Sequence, residues 1–353
     1  MKVYLETFSQ IDKELGLLFY ASDIPGLGGR IKERPEDFIV VENSIIEPDS
    51  SGNHLVLVIW KKDLSTREVV ELIAKKLGIG KKAVGVAGMK DKRAVAIQKI
   101  SIPYKDVDLR ELEVEGHLKI LGAFRAKRKV RVGYLRGNFF KIVVRGVKNL
   151  GALNEIIAQL RERGCPNYYG YQRFGGRTRN HELGRLIIEG NYDLLASRMG
   201  LRRRISGVKD VLRLDLRLLR FFINSYQSYL FNLMVSERMR RGHPINEFID
   251  GDFVKGGKPA FPLIGYKSKL PRGEAGDIVE SVLEREGVGP EDFNLEIRKL
   301  RDKGGLRKVP MTYRLLKAGI CSENDVILSF WLEKGCYATV LLREFCKWSE
   351  PPI

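Results

Sequence analysis

The chain has 353 residues, of which 44% are hydrophobic, and its 62 Lys+Arg against 44 Asp+Glu give a formal net charge of +18. That length calls for two domains, or one domain interrupted by another, because single cores stop growing before it. The charge points to a polyanionic partner, with nucleic acid ahead of a membrane surface. The most apolar stretch, "LRLLRFFINSYQSYLFNLMVSERMRR", is broken by Arg220, Asn224, Gln227 and Asn232, which excludes it as a membrane span and makes it a buried helix. The cysteines at 165, 321, 336 and 346 form no CxxC pair and the four histidines are dispersed, so neither a zinc cluster nor a disulfide framework is expected. No GxxxxGK[ST] loop occurs, and no GxGxxG lies between a strand and a helix, so no cofactor is expected. The opening "MKVYLETFSQIDKELG" lacks the pattern of a signal peptide, and a cytoplasmic protein is expected.

In chain order, "FIVVE" and "LVLVIW" read as strands separated by the turn-rich "PDSSGN". "STREVVELIAKKLG" reads as a helix: Ser65 and Glu68 have capping-box spacing, Val69, Leu72, Ile73 and Leu77 make one apolar stripe, and Gly78 marks its end. "VAGMKDKRAVAIQKISI" follows, with Asp91 on a loop that leads into a strand. "LKILGAF" and "GNFFKIVVRGV" are two more strands, the second placing Phe140, Ile142 and Val144 on one face. From Leu150 the texture turns helical, through "LGALNEIIAQLRERG", "NHELGRLIIEG", "YDLLASRMG" and the segment from Phe222 to Met239. After Gly305 strand texture returns in "DVILSFWLEKG", and "CYATVLLREFCKW" reads as a final helix. The expected fold is α/β (α+β): a mixed, mainly antiparallel sheet domain, residues 1–167 plus 304–353, interrupted by a helix-rich α/β insertion at 168–303.

Asp91 is one acid among Lys90, Lys92 and Arg93. A run of charges is ordinarily a solvated surface, so a reactive role needs an argument. A metal nuclease would need several acids around its ion, and the neighbours of Asp91 are basic. A paired-carboxylate hydrolase would need a second acid, but Glu36 and Asp37 follow Pro35 in "RPEDF" and read as a structural turn. A lone carboxylate acting as nucleophile or base is left, kept ionised and oriented by a cation drawn from Lys90, Lys92, Arg93 or the more distant Lys32. The competing class is a non-catalytic RNA-binding protein, for which an acid facing RNA would only repel phosphates. "LRRRIS" at 201–206 stays open between solvated charge and contact with an RNA backbone.

Six blocks, "IKERPEDFIVVE", "VAGMKDKRAVAIQ", "GNFFKIVVRG", "CPNYYGYQRFGG", "SYQSYLFN" and "KGCYATVLLRE", resemble in order those of the TruD family of tRNA pseudouridine synthases, over nearly the whole chain. Ala96 and Cys336 depart from the residues common in that family, away from the expected nucleophile. The resemblance implies isomerisation of a uridine in RNA to pseudouridine, with no metal or organic cofactor. It implies tRNA as partner and uridine-13 as target, with other RNAs open, and no obligatory protein partner. It places the catalytic aspartate on Asp91 and its ion-pair partner on Lys32, leaving Lys90, Lys92 and Arg93 to meet phosphates. It also implies that Asn138 hydrogen-bonds near the aspartate and that Phe140 stacks on the target base. By spacing alone Phe140 would be a core residue of an alternating strand. The tyrosines of "CPNYYGYQRFGG" with Arg173 and Arg177 suit RNA bases, or equally a junction that bridges core and solvent.

Overall fold

A computed structural model describes residues 3–175, 179–201 and 207–351, so Arg177 and the run at 202–206 lie outside the described residues. The chain divides into two compact units, Leu27–Leu150 with Thr312–Ala338, and Met1–Gly26 with Gly151–Met311 and Thr339–Ile353. The first 26 residues and the last 15 thus group with the helical segment, a different division from the one texture suggests.

Among the described residues, the first unit forms a nine-stranded sheet. Seven strands run in the order Tyr313–Ser322, Asp325–Glu333, Leu135–Val147, Phe38–Ser44, Val95–Pro103, His54–Lys62, Leu118–Ala126. Short strands Gly28–Arg30 and Gly85–Val86 join Leu135–Val147 and Val95–Pro103. Phe38–Ser44 runs parallel to Val95–Pro103, and the other pairings are antiparallel. The sheet is therefore mixed and mainly antiparallel, as the sequence leads one to expect.

Register then decides which residues meet. Val40 lies opposite both Ala96 and Phe140, Phe140 opposite Phe330, and Glu42 opposite Asn138. Opposed residues share a face, so all of these stand on the face that also carries Gln98, Ile100 and Ile102. The helix Thr66–Leu77 lies on this face, and Val69, Ile73 and Ala74 join Leu57, Ile59, Ile100, Ile102 and Leu118 in one core. Each fully buried Val, Leu or Ile there contributes about 1.5–3 kcal/mol. The capping box of Ser65 and Glu68 forms, and Gly78 ends the helix at φ 64°, a left-handed conformation that costs glycine little. The turn Pro35–Asp37 is structural, as read: Arg145 grips Asp37 at 2.5 and 2.9 Å and reaches Asp325 at 2.9 Å.

The second unit is organised on the helix Leu216–Arg240, which is buried almost continuously from Ser225 to Met239. No described helix is long and apolar enough to cross a membrane. Gly184 of the helix Asn180–Ile188 packs against it so closely that a Cβ would sit 2.1 Å from the carbonyl oxygen of Phe222. The chain ends are held by buried polar bonds. Arg343, in the final helix Ala338–Cys346, binds Asp12 at 2.6 Å and the carbonyls of Leu17 and Phe19, while Asn232 donates to the carbonyl of Leu15. These partners stand more than 200 residues apart, which is why local texture could not group them.

Candidate active site

Asp91 lies between the short strand Gly85–Val86 and the strand Val95–Pro103, on the loop the sequence assigns to it. Its place is fixed from three directions. Lys32 Nζ donates to Asp91 Oδ2 at 2.5 Å. Lys61 Nζ donates to the carbonyl oxygens of Asp91 and Leu64 at 2.7 and 2.5 Å. The next residue back, Lys90, donates its backbone N–H to Thr66 Oγ1 at 2.8 Å, tying the loop to the first residue of the helix.

The Lys32–Asp91 pair that the resemblance implies is thus present, across 59 residues of chain. It is open to solvent, with side chains 23% and 43% exposed. Lys32 holds a left-handed backbone at φ 59°, which non-glycine residues adopt at some cost. Its ammonium also lies 4.4 Å from the centre of the Phe38 ring. Phe38 meets Phe140 edge to face at 6.0 Å, and Phe140 stacks on the buried Phe330 at 5.3 Å. An unbroken run of contacts therefore leads from the carboxylate through Lys32 to three aromatic rings. Phe140 is half-buried, between its core and stacking readings.

Lys90 does not face outward as expected. Its side chain is 6% exposed, donates to Asn138 Oδ1 at 2.5 Å and stands 3.7 Å from Glu42 Oε2. The physical reason is a nearby buried acid: Glu42 continues the inward parity of Phe38 and Val40, and its charge gives a buried ammonium a counterion. Burial pushes the Lys90 amine down and the Glu42 carboxyl up from their ordinary values, each opposed by the other's charge. Lys92 and Arg93 do face solvent; Lys92 pairs with Glu68 at 2.6 Å and Arg93 donates to the carbonyl of Glu33 at 2.7 Å.

Four members of this neighbourhood escaped the sequence reading: Phe38, Glu42, Lys61 and Phe330. For Lys61 and Glu42 a signal existed. Leu57, Ile59 and Lys61 alternate on the buried face of one strand, as Phe38, Val40 and Glu42 do on another, so each charge falls where an apolar side chain is due. Burial lowers the Lys61 amine to about 8, against the pull of the Asp91 carboxylate.

In the other unit Tyr168 and Tyr171 are buried core residues, and the Arg173 guanidinium lies 5.6 Å from the ring of Tyr169 and 5.3 Å from that of Phe221. The rings of Tyr168 and Tyr171 are closed to an RNA base, and neither bridges core and solvent. Among the described residues no group of three or more His, Cys, Asp or Glu is placed to hold a metal ion.

Known proteins resemble this chain over nearly its whole length. The family profile described as tRNA pseudouridine synthase D (TruD) matches residues 14–201, 201–260 and 255–345. A protein of Thermococcus onnurineus named "Probable tRNA pseudouridine synthase D" is 32% identical, the alignment covering 98% of this chain and 99% of the relative. One of the same name from Pyrococcus furiosus is 34% identical over 94% of this chain and 99% of its own. A crystal structure from Methanosarcina mazei, assigned as tRNA pseudouridine synthase D, superposes with a TM-score of 0.77 at 28% identity and covers 99% of both chains. On a profile that spans most of its length and relatives aligned nearly end to end, this chain belongs to the tRNA pseudouridine synthase D (TruD) family.

Proposed function

We infer that this protein isomerises a uridine of tRNA, at position 13, to pseudouridine, with Asp91 as the reacting carboxylate and no metal or organic cofactor. The observation that carries the reading is the solvent-open Lys32–Asp91 contact at 2.5 Å, which the buried Phe38 ring joins to the half-buried ring of Phe140. The reaction breaks the bond from ribose C1′ to N1, forms one from C1′ to C5, releases the C5 proton and returns a proton to N1. Asp91 serves it as a carboxylate that attacks the sugar or removes a proton from it, and Lys32 holds that carboxylate in place. The target must leave the base stack to reach a carboxylate, at a cost of roughly a few kcal/mol. A base stacked on Phe140 recovers about 1–3 kcal/mol. The exposed Lys92 and Arg93 suit phosphates flanking the target, and a cytoplasmic location goes with a tRNA substrate. We assign the unit that carries the sheet, Leu27–Leu150 with Thr312–Ala338, to catalysis.

The test is to incubate unmodified tRNA with the protein and map pseudouridine by carbodiimide labelling. One labelled position, lost with Asp91→Asn while RNA affinity stays equal or rises, is the expected result. RNA bound but never isomerised would favour the binding-only alternative, and turnover near wild type in Asp91→Asn would remove the carboxylate from its role.

A further inference from the structure

Lys90 turns the carboxamide of Asn138 into a one-way group. A lysine side chain offers donors, so the oxygen of Asn138 must face it, and the 2.5 Å contact is to Oδ1. The amide nitrogen is left pointing elsewhere. Among the described residues it has no partner, and it is not among the side-chain atoms that are buried without one. Asn138 stands two residues from Phe140 on the same strand face, the face that carries the ring to which the target base is assigned.

The device behind this orientation is itself buried. Glu42 lies opposite Asn138 in register and is 1% exposed. One of its oxygens accepts from the backbone N–H of Lys99 at 3.4 Å, and the other has no hydrogen bond, lying 3.7 Å from Lys90 Nζ. A carboxylate so placed attracts Lys90 without taking up its hydrogen bond to Asn138, and a flip of the amide would set two donors against each other. The Thr66 hydroxyl bond to the Lys90 backbone holds the lysine from behind.

We propose that the Glu42–Lys90 pair is a positioning device that makes Asn138 a donor-only contact for a pyrimidine carbonyl, and that this contact selects uridine over cytidine and keeps hold of the ring as it turns. The chemistry of uracil supplies the second half of the statement. Turning the detached ring about the axis through N3 and C6 exchanges N1 with C5 and O2 with O4. A donor in a fixed place therefore meets a carbonyl oxygen both before and after the turn. In the N1-linked ring the donor meets O4, where cytosine carries an amino group, so cytidine would oppose donor to donor; after the turn the same donor meets O2.

This inference rests on the reading of the protein as a uridine isomerase, and its test is separable from that reading. RNAs carrying uridine, pseudouridine or cytidine at the mapped target are titrated against Asp91→Asn, in which uridine is not consumed. The expected result is equal binding of uridine and pseudouridine, each about tenfold tighter than cytidine. Adding Lys90→Met, which frees the amide to flip, should bring the three within about twofold of one another. A general structural lesion would weaken all three alike and leave their ratio unmoved. Should Lys90→Met fail to fold with Glu42 left unpaired, the paired change Glu42→Leu with Lys90→Met removes both charges and gives the same readout. Equal binding of all three RNAs before the change, or an unaltered ratio after it, overturns the proposal. Absence of isomerisation by the wild type would instead overturn the reading beneath it.

Discussion

Asp91 owes its orientation to side chains that act on different parts of it. Lys32 touches the carboxylate, whereas Lys61 touches the backbone, so their loss should show differently. A buried ion pair deprived of one partner typically costs about 3–5 kcal/mol, but a pair as exposed as Lys32–Asp91 contributes only about 0–1 kcal/mol to folding. Lys32→Met is therefore expected to leave the urea midpoint almost unchanged and to lower the single-turnover rate at saturating enzyme; loss of RNA affinity alone would contradict this. Lys61→Met should do more to the fold, because two carbonyls lose their donor, at about 1–3 kcal/mol for each one left buried and unpaired. Activity should fall with it, since the loop that carries Asp91 loses its anchor. The pH dependence has a definite sign. The folded Lys61 amine titrates at about 8 and the unfolded one at its ordinary 10.5, so between these values the unfolded chain holds the extra proton. Wild type should thus gain stability relative to Lys61→Met as pH rises from 8 towards 10.5, and denaturant midpoints that keep a constant difference would refute the assignment.

At the level of elements, the helix Thr66–Leu77 does more than cover the sheet. Its first residue holds the Lys90 backbone and also donates to Gln98 at 3.0 Å, so the start of the helix and the Asp91 loop are set together. In the helical unit, the helix Asn180–Ile188 carries a buried histidine. His181 stacks on Tyr229 at 4.8 Å and meets Phe174 edge-on at 5.3 Å. Burial lowers its imidazole to about 4 from an ordinary 6.5. Below pH 6.5 the unfolded chain takes up a proton that the folded chain refuses, so this contribution is whole above 6.5 and is lost as pH falls towards 4. His181→Phe should flatten that part of the stability profile, checked by urea midpoints between pH 7 and 4.5. A variant as acid-sensitive as wild type would place the loss elsewhere.

For the molecule as a whole, a net charge of +18 favours association with a polyanion, while the chemistry proposed for Asp91 would draw on one loop and the strands beside it. Isomerisation should survive exhaustive treatment with EDTA, since the reacting group proposed is a carboxylate paired with an ammonium. The measurement is the labelled-tRNA assay before and after chelation; activity that disappears and returns with added metal, the RNA remaining folded, would defeat the cofactor-free mechanism. The grouping of both chain ends with the helical unit also belongs to this scale. Arg343 and Asp12 are each about 1% exposed, so the pair that joins the ends is a buried one, unlike the pair at Asp91.

Local rules were enough to reveal a good deal of this protein. Period-two alternation marks the strands, capping chemistry bounds the helix at Ser65 and Gly78, and one acid among cations on a loop singles out Asp91. Order among six blocks supplied Lys32, Asn138 and Phe140, which spacing alone would have left as surface charge and core. Only the tertiary structure decided which charges face water. Lys90 and Lys92 stand two residues apart and read alike, yet one is buried against Glu42 and Asn138 while the other meets solvent and Glu68. A lysine can be buried only where an acceptor or counterion repays its lost hydration, and here those partners come from strands that register, not sequence, brings alongside. The same holds for Lys61 and for the contact of Lys32 with Asp91: parity along a strand says that a charge points inward, and the pairing of distant strands says what it finds there.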